Sequence, residues 1–286
     1  MLIFIKYLNA EIHSDRKWGI LMITKESKCP LLISQNIYDK YFFKDMIFFD
    51  IETTGFDKDE NNIILVSIGY FKNYNEFFMK QFFAEELNEE KEVLKAFNRE
   101  VSNFSKWCSY NGKAFDEPFI IRRMVRCGIE FEVPIEHIDL YRLIRPYHKE
   151  LGMERCNLKT VEKYIGIERK DQIDGGISVE LYFQYLGNKQ KSLIDIMLLH
   201  NFEDVLNLPK LFTIVNDVDN SGKIIREDGI TEKQKSFLIS LLKKNKLEVN
   251  MDIDKISKKA ASRIIDNLLK GSKDIDLIIK IAESSY

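Results

Sequence analysis

The sequence predicts an α/β protein in which a mixed five-stranded sheet carries helices on its faces and a small all-α module follows at the C-terminus. Three observations predict this fold class. Residues 46–83 contain three apolar runs joined by short polar connections, residues 84–218 alternate helical and strand-like patterns, and the remaining residues carry helix signals alone. A chain of 286 residues with an apolar share of 45% is long enough for one large and one smaller domain, and this composition excludes a disordered chain.

Five strands are expected, at residues 46–51, 63–71, 76–83, 107–110 and 135–140. The first three are separated by polar segments of a few residues, which predicts antiparallel hairpins. The last two alternate with helical segments, and three hairpin strands followed by such an alternation predict a mixed sheet.

Helices are expected between and after these strands. Residues 85–103 repeat apolar side chains near helical spacing, and a helix at 119–126 is opened by Pro118, which a first helical turn tolerates. From residue 141 to about 218 the pattern is mostly helical. Residues 1–45 are interpreted as a lead-in of strands and turns packed on the main domain, with no chemistry attached.

A linker at residues 219–229 is expected to separate the main domain, residues 46–218, from a helical module at 230–286. The polar stretch that starts at Asp217 indicates the linker, and Thr231 with Gln234 has the pattern of a capping box. Gly271 is expected to end the second helix of the module. Residues 219–286 carry a net charge of +3 and the residues before them −5. This lysine surplus suits a nucleic-acid or protein partner.

Composition also limits the cellular compartments in which the protein is expected. The four cysteines lie far apart without a CxxC pair, which argues against a zinc site or a disulfide framework and favours a reducing, cytoplasmic location. The N-terminal apolar segment is too short, and too soon interrupted by charge, for a signal peptide. No apolar run approaches the ~20 residues that a membrane helix needs, so no membrane partner is expected.

The chemistry is expected to centre on residues 47–55, an apolar run that carries Asp50 and Glu52 before it ends at Gly55. Side chains two apart on a strand project from one face, so the two carboxylates would lie side by side. Two carboxylates on a buried face repel each other and lose hydration, and a divalent cation with oxygen ligands relieves this cost. The alternative is a strand that runs out into solvent with two exposed acids.

Two further sites would complete a metal cage, and each has a structural alternative. Asp116 lies between a predicted turn and a predicted helix, so it also fits an ordinary helix N-cap. His200 and Asp204 are four residues apart and share one face of a helix, which is equally the pattern of an exposed polar stripe.

Three motifs occur in order: Asp50-Ile-Glu52-Thr-Thr-Gly, Asn111-Gly-Lys-Ala-Phe-Asp116 and His200-Asn-Phe-Glu-Asp204. Together they resemble the exonuclease motifs of the DEDD superfamily, the DnaQ-like 3′–5′ exonuclease branch of the RNase H-like fold. Within it the chain looks like a YprB-type RNase H-like domain over residues 46–211. Supporting stretches follow the same order at residues 139–146, 156–162, 174–176 and 182–186.

The resemblance implies a nuclease with two Mg²⁺ or Mn²⁺ ions, which clamp the attacking and leaving oxygens of an in-line displacement. By analogy, Asp50 would bridge both ions, Glu52 and Asp204 would hold the ion that activates water, and Asp116 would help hold the second. His200 would be the general base. In the superfamily a histidine base has four residues between it and the aspartate, and a tyrosine base has three. This chain has a histidine at the tyrosine spacing, which leaves a substrate-orienting or supporting role for His200 open.

Substrate contacts are expected around these motifs. Thr53 and Gly55 end the first motif, and the glycine is expected to let a substrate end approach the metals. Asn111 would hold a sugar or phosphate, or merely make the turn. Arg122 and Arg145 belong to basic clusters that either neutralise phosphates or form a solvated, salt-bridged face.

The sequence therefore predicts metal-dependent 3′–5′ hydrolysis of phosphodiester bonds in DNA or RNA. The alternative is a catalytically silent RNase H-like protein that binds nucleic acid or acts as an adaptor through its helical tail.

Overall fold

The computed structural model describes residues 22–174, 176–221 and 224–282, together with the backbone of residues 11–13 and 283. These residues form two compact units. The first takes in the described residues of Met1–Tyr141 and Asn157–Asn216, and the second those of Arg142–Cys156 and Asp217–Tyr286. Residues 1–10 and 14–21 of the predicted lead-in lie outside the described residues.

The first unit contains a mixed sheet of six strands with a three-residue strand at one edge, in the order β1-β2-β5-β4-β3-β6-β7. In chain order the strands are β1 (Glu11–His13), β2 (Met22–Cys29), β3 (Met46–Thr53), β4 (Ile63–Asn73), β5 (Glu76–Ala84), β6 (Lys106–Ser109) and β7 (Glu136–Asp139). All five predicted strands are present. The expected total of five was too low, because the lead-in adds β1 and β2 to the sheet, and β2 pairs antiparallel with residues 77–84 of β5.

The pairing of the strands decides where side chains meet. β3, β4 and β5 pair antiparallel, as the short connections predicted. β6 runs parallel to β3, and β7 runs parallel to β6. The carboxyl ends of β3, β6 and β7 therefore lie at the same edge of the sheet, which is where parallel sheets form their ligand sites.

Helices cover both faces of this sheet. The helices between residues 35 and 221 are, in chain order, α1 (Gln35–Lys40), α2 (Glu90–Val101), α3 (Asp116–Arg126), α4 (Leu140–Ile144), α5 (Leu158–Tyr164), α6 (Ile177–Asn188), α7 (Lys191–Leu206) and α8 (Leu208–Ser221). The helices expected at 85–103 and 119–126 correspond to α2 and α3, and the mostly helical stretch after residue 140 is confirmed. None of the described helices is both long enough and apolar enough to cross a membrane.

The side chains of β3 alternate between two cores. Ile47, Phe49 and Ile51 are buried in a cluster with side chains of α2 and α3. Phe48 lies on the opposite face, and its ring contacts the ring of Phe212 on α8. Because the period of a strand is two, the two side chains of β3 after Phe48 on that face are the carboxylates of the first motif.

The second unit has its own apolar core, built from α9 (Glu232–Asn245), α10 (Lys258–Leu269) and α11 (Ile275–Glu283). The capping box of Thr231 and Gln234 is confirmed, and Gly271 follows α10 with a φ of +85°. The left-handed conformation there favours glycine, which lacks a Cβ, and it ends the helix.

The boundary between the units differs from the predicted linker. α8 continues to Ser221, so Asp219–Ser221 are helical where a linker was expected. Glu227 also joins the second unit, because its backbone N–H donates to the Pro146 carbonyl at 2.9 Å and its carboxylate lies 3.1 Å from His148 Nδ1. The second unit therefore combines the tail with a segment of the chain, Arg142–Cys156, that the sequence placed in the main domain.

Candidate metal centre

Side chains from all three predicted motifs meet where β3 ends. Asp50, Glu52, His200 and Asp204 line one cavity of about 290 Å³. Asp116 joins them, because its Oδ1 accepts a hydrogen bond from the Ile51 backbone N–H at 3.2 Å and its charge acts on Asp50. Glu52 is only 8% exposed, so the alternative of two acids on a strand running into solvent is wrong.

Two local features of the backbone orient these side chains toward the cavity. The register between β3 and β4 shifts between Glu52 and Thr53, and such a bulge re-aims side chains next to a site. His200 and Asp204 lie on α7 one turn apart and both face the cavity, so they do not form an exposed polar stripe.

The start of α3 decides whether Asp116 is a helix N-cap or part of the acidic cluster. α3 begins at Asp116, and the residue in the N-cap position is Phe115, which makes no side-chain capping bond. The Asp116 carboxylate instead reaches across to the backbone of β3. The N-cap interpretation of Asp116 is therefore wrong, and its carboxylate belongs to the acidic cluster.

Burial and mutual repulsion raise the pKa values of the clustered acids. Burial raises the pKa of Asp50 well above its usual range, and repulsion from Asp116, Asp204 and Glu52 raises it further. Burial, followed by repulsion from Asp204, does the same to the pKa of Glu52. Burial raises the pKa of Asp116 to about 7. The charged forms of these groups are therefore costly without a compensating cation.

Three of the acids use one oxygen for a contact within the protein. Asn201 Nδ2 donates to Asp50 Oδ2 at 2.6 Å, and the Ile51 amide holds Asp116 Oδ1. Arg169 Nη1 lies 2.5 Å from Asp204 Oδ1. Contacts of this kind orient metal ligands in proteins, because they fix one oxygen and leave the other to face the ion.

The remaining atoms fit a divalent cation. Glu52, His200 and Asp204 each offer one ligand atom, and these atoms all lie within 4.8 Å of one another. His200 Nε2 is 3.7 Å from Glu52 Oε1 and 3.5 Å from Asp204 Oδ2. Carboxylate oxygens suit Mg²⁺ and Mn²⁺, and an imidazole nitrogen is also accepted by Mn²⁺. These three atoms fit one divalent cation, and the set differs from the four carboxylates that the resemblance implied, because it includes His200 and leaves out Asp50 and Asp116.

The predicted substrate residues divide into two groups, and the first contains Thr53 and Gly55, which line the cavity. The Thr53 hydroxyl donates to the Gly55 carbonyl at 2.7 Å. A Cβ on Gly55 would lie only 2.6 Å from Asn61 Oδ1. A larger residue at position 55 would therefore have to displace the Asn61 side chain, whose Oδ1 accepts a hydrogen bond from the Asp57 N–H.

The second group contains Asn111, Arg122 and Arg145, which do not line this cavity in the described part of the chain. Asn111 has a φ of +66°, and its N–H donates to Asp139 Oδ1 at 2.7 Å, so it makes the turn. Arg122 forms an exposed ion pair with Asp59. Arg145 belongs to the second unit.

Sequence reasoning missed several side chains that support the cluster. Arg169 and Asp171 lie in the segment between α5 and α6, which the sequence placed in a mostly helical stretch without assigning these two residues a role. Both are buried, with side-chain exposures of 6% and 1%. Asn201 stood within the third motif and was not assigned. The run of charged residues at 168–171 does not by itself distinguish the first two from a solvated, charged surface.

The rim of the cavity is aromatic. Phe56 is 84% exposed, and the centroid of its ring lies 6.1 Å from that of Phe115. Both residues line the cavity together with Gly176 and Val179. A solvent-exposed aromatic ring beside buried acids offers a flat apolar surface next to a charged centre.

This combination of a mixed sheet, strand ends at one edge and a cluster of acids defines an RNase H-like α/β protein. The chain belongs to the RNase H superfamily, whose family model matches residues 47–216. It is 30% identical over 212 residues to the uncharacterized protein YprB of Bacillus subtilis (strain 168). That alignment covers 73% of this chain and 49% of YprB, so the chain spans about half the length of this relative.

The solved structures to which the chain is similar have low sequence identity and TM-scores under 0.5. The family B DNA polymerase of the archaeon Pyrobaculum calidifontis is 16% identical with a TM-score of 0.47, covering 79% of this chain and 27% of the polymerase. Brucella melitensis NrnC bound to pGG is 12% identical with a TM-score of 0.40, covering 82% and 85%. A zinc-bound complex of E. coli ExoI with single-stranded DNA is 14% identical with a TM-score of 0.35, covering 54% and 43%.

Proposed function

We propose that the protein is a metal-dependent 3′–5′ exonuclease that hydrolyses phosphodiester bonds of DNA or RNA with two Mg²⁺ or Mn²⁺ ions. The observation that carries the proposal is the meeting of Asp50, Glu52, Asp116 and Asp204 at one buried site whose ionised form needs cations. Membership of the RNase H superfamily supports the same class of chemistry.

The side chains have distinct roles in this proposal. Asp50 would hold both ions, Glu52 and Asp204 the first, and Asp116 the second, as the resemblance implies. When bound, the ions supply positive charge that neutralises the phosphodiester and favours ionised water. His200, whose Nε2 faces Glu52 and Asp204, would accept the proton of the attacking water.

The shape of the cavity supports attack at a strand end. A volume of about 290 Å³ is at the small end for ligand pockets and suits one nucleotide better than a duplex. Phe56 and Phe115 at the rim would stack on a terminal base, a contact that tolerates any sequence.

Other proposals concern partners and location. The second unit contains 18 basic and 14 acidic residues, a net charge of +4 that would suit a nucleic-acid or protein partner. All four cysteines are described and free, which supports the cytoplasmic location argued from their spacing.

The test is degradation of end-labelled DNA and RNA, single- and double-stranded, with Mg²⁺, Mn²⁺ or EDTA. The proposal predicts metal-dependent release of nucleoside monophosphates from the 3′ end, seen as ladders with a 5′ label and as mononucleotides with a 3′ label. Asp50→Asn should abolish it, and Asp195→Asn, an exposed acid on α7, should not. Failure to degrade any of these substrates, or activity that survives Asp50→Asn, would favour the silent alternative.

A further inference from the structure

His200 connects the acidic cluster to the buried carboxylate of Asp171. His200 Nδ1 lies 2.8 Å from Asp171 Oδ2, and the opposite ring nitrogen, Nε2, lies 3.5 Å from Asp204 Oδ2 and 3.7 Å from Glu52 Oε1. The imidazole is only 5% exposed. One ring nitrogen is therefore tied to the protein, and the other is directed at the candidate metal centre.

The surroundings of Asp171 keep its carboxylate ionised. The same Oδ2 lies 3.1 Å from Lys159 Nζ and 3.2 Å from Arg169 Nη2. Asp171 Oδ1 accepts a hydrogen bond from the Ile173 N–H at 2.9 Å. Two cations, a backbone N–H and an imidazole thus surround this buried carboxylate, an environment that favours its ionised form.

An ionised carboxylate can only accept hydrogen bonds. The short contact between Asp171 and His200 is therefore a bond that Nδ1–H donates. A neutral imidazole with its proton on Nδ1 presents an unprotonated Nε2. Asp171 thus sets which ring nitrogen carries the proton as well as the orientation of the ring.

We propose that Asp171 is a positioning residue of the reaction, which holds His200 so that an unprotonated Nε2 faces Glu52 and Asp204. This inference rests on the proposed nuclease function and extends it to a residue outside the three motifs. Asp171 is not among the described residues that line the cavity; its carboxylate contacts His200, and it is also linked to Asp204 through Arg169. The role proposed for it is the one exerted through His200.

The loop that carries Asp171 is anchored to the same helix as His200. Glu203 on α7 accepts hydrogen bonds from the backbone N–H groups of Lys170 and Asp171, at 3.1 and 2.9 Å. Arg169 Nη2 donates to the His200 carbonyl at 3.0 Å. These hydrogen bonds, in addition to the one between the His200 ring and Asp171, hold the loop and α7 together. A site whose geometry must be precise needs supporting contacts of this kind.

A merely structural role for Asp171 would consist of neutralising Lys159 and Arg169 or of shaping the loop. The two roles differ in their dependence on His200. If Asp171 positions His200, its substitution should not change kcat once His200 has been removed. If Asp171 is merely structural, its substitution should lower kcat by the same factor with or without His200.

The kinetic test is a double-mutant cycle on the full chain. Asp171→Ala should lower kcat by about 10–100-fold, with KM and the Mg²⁺ dissociation constant changed less than about threefold. Asp171→Asn keeps a neutral acceptor and should recover part of the loss. In the His200→Ala background, Asp171→Ala should cost no further activity. An equal loss in both backgrounds would overturn the proposal.

Lys159→Met is the matched control, because it removes a cation from Asp171 and leaves the bond to His200 in place. Its kcat should stay within about threefold of the wild type, against the 10–100-fold expected for Asp171→Ala. A decrease in kcat as large as that of Asp171→Ala would mean that the role of Asp171 is to neutralise Lys159 and Arg169. Asp171→Asn, whose side chain has the shape of the original, serves if Asp171→Ala does not fold.

A second test does not depend on catalytic activity: the ¹⁵N NMR spectrum of the histidine rings in the Mg²⁺-loaded protein. The signals of His200 are identified as those that disappear in the His200→Ala variant. The proposal predicts a protonated Nδ1 and an unprotonated Nε2, and a loss of this preference in Asp171→Ala. A proton on Nε2 in the wild type would overturn it. Absence of nuclease activity in the wild type would instead overturn the proposed function, and the ring spectrum would still report whether Asp171 orients His200.

Discussion

At the scale of single residues, the site is organised at the expense of stability. The Asp50 side chain is surrounded by three other carboxylates, and its own pKa is raised by burial and by their charge. A residue chosen for stability at this position would be apolar, like its neighbours Phe49 and Ile51. A residue that lowers the stability of the fold in this way is expected where the protein needs the side chain for its function.

Asp50→Asn should therefore make the metal-free protein more stable and inactive. The amide keeps the size of the side chain and never carries the charge that burial and the neighbouring acids oppose, so we expect a gain of about 1 kcal/mol in the free energy of unfolding. Thermal unfolding in EDTA measures the gain, and Mg²⁺ should raise the Tm of the variant less than that of the wild type. Asp195→Asn is the control, since Asp195 is exposed. A lower Tm for metal-free Asp50→Asn would contradict this account of the cluster.

At the scale of elements, α3 is fixed to α2 by a buried ion pair. Arg123 donates to both Glu90 oxygens, at 2.7 and 2.6 Å, and Glu90 also accepts a hydrogen bond from the Ile63 N–H at the start of β4. The two side chains are 9% and 5% exposed. This contact sets the position of the helix that carries Asp116.

Two neighbouring arginines on α3 give a matched comparison. Arg123→Ala leaves Glu90 buried without its partner, so we expect a loss of about 3–5 kcal/mol in the free energy of unfolding. Arg122→Ala breaks only an exposed ion pair with Asp59 and should cost less than about 1 kcal/mol. Urea unfolding monitored by circular dichroism compares the two. Equal losses would show that burial does not decide the strength of these pairs.

Elements with strong local signals could be predicted from the sequence, and the site could be predicted where a motif carried it. β3, β4 and β5 have apolar runs and short polar connections, and both their order and their antiparallel pairing are confirmed. The pairing of β2 with β5 was missed, because contact between segments so far apart in sequence leaves no local pattern. Arg169 and Asp171 were missed for the same reason, since their partners on α7 are distant in the chain.

At the scale of the whole molecule, charge is distributed between two units with separate cores. The second unit has a net charge of +4, and the remaining residues of the chain have a net charge of −6. The second unit takes its segment Arg142–Cys156 from the middle of the sequence, which a linear pattern of helix signals does not reveal. The acidic cluster of the first unit then makes global stability depend on pH and on cations.

The pKa values of Asp50, Glu52 and Asp116 are raised in the folded state, the last to about 7, by burial first and then by neighbouring acids. Unfolding returns them to roughly pH 4, so between about pH 4 and 7 the folded, metal-free protein binds more protons than the unfolded chain. Its stability should fall as pH rises through this window. Because metal ions bind the ionised carboxylates, the stabilisation by Mg²⁺ should increase over the same range.

The measurement is the Tm of metal-free and Mg²⁺-saturated protein from pH 5 to pH 8. We expect the difference between the two curves to widen as pH rises, and we expect Asp116→Asn to reduce the slope of the metal-free curve, because it removes the group that titrates at about pH 7. Asp195→Asn should leave both curves unchanged in shape, since that side chain is 70% exposed. A difference that stays constant with pH would mean that the acids are already ionised in the metal-free fold, and that Arg169 and Asn201 offset their charge without a cation.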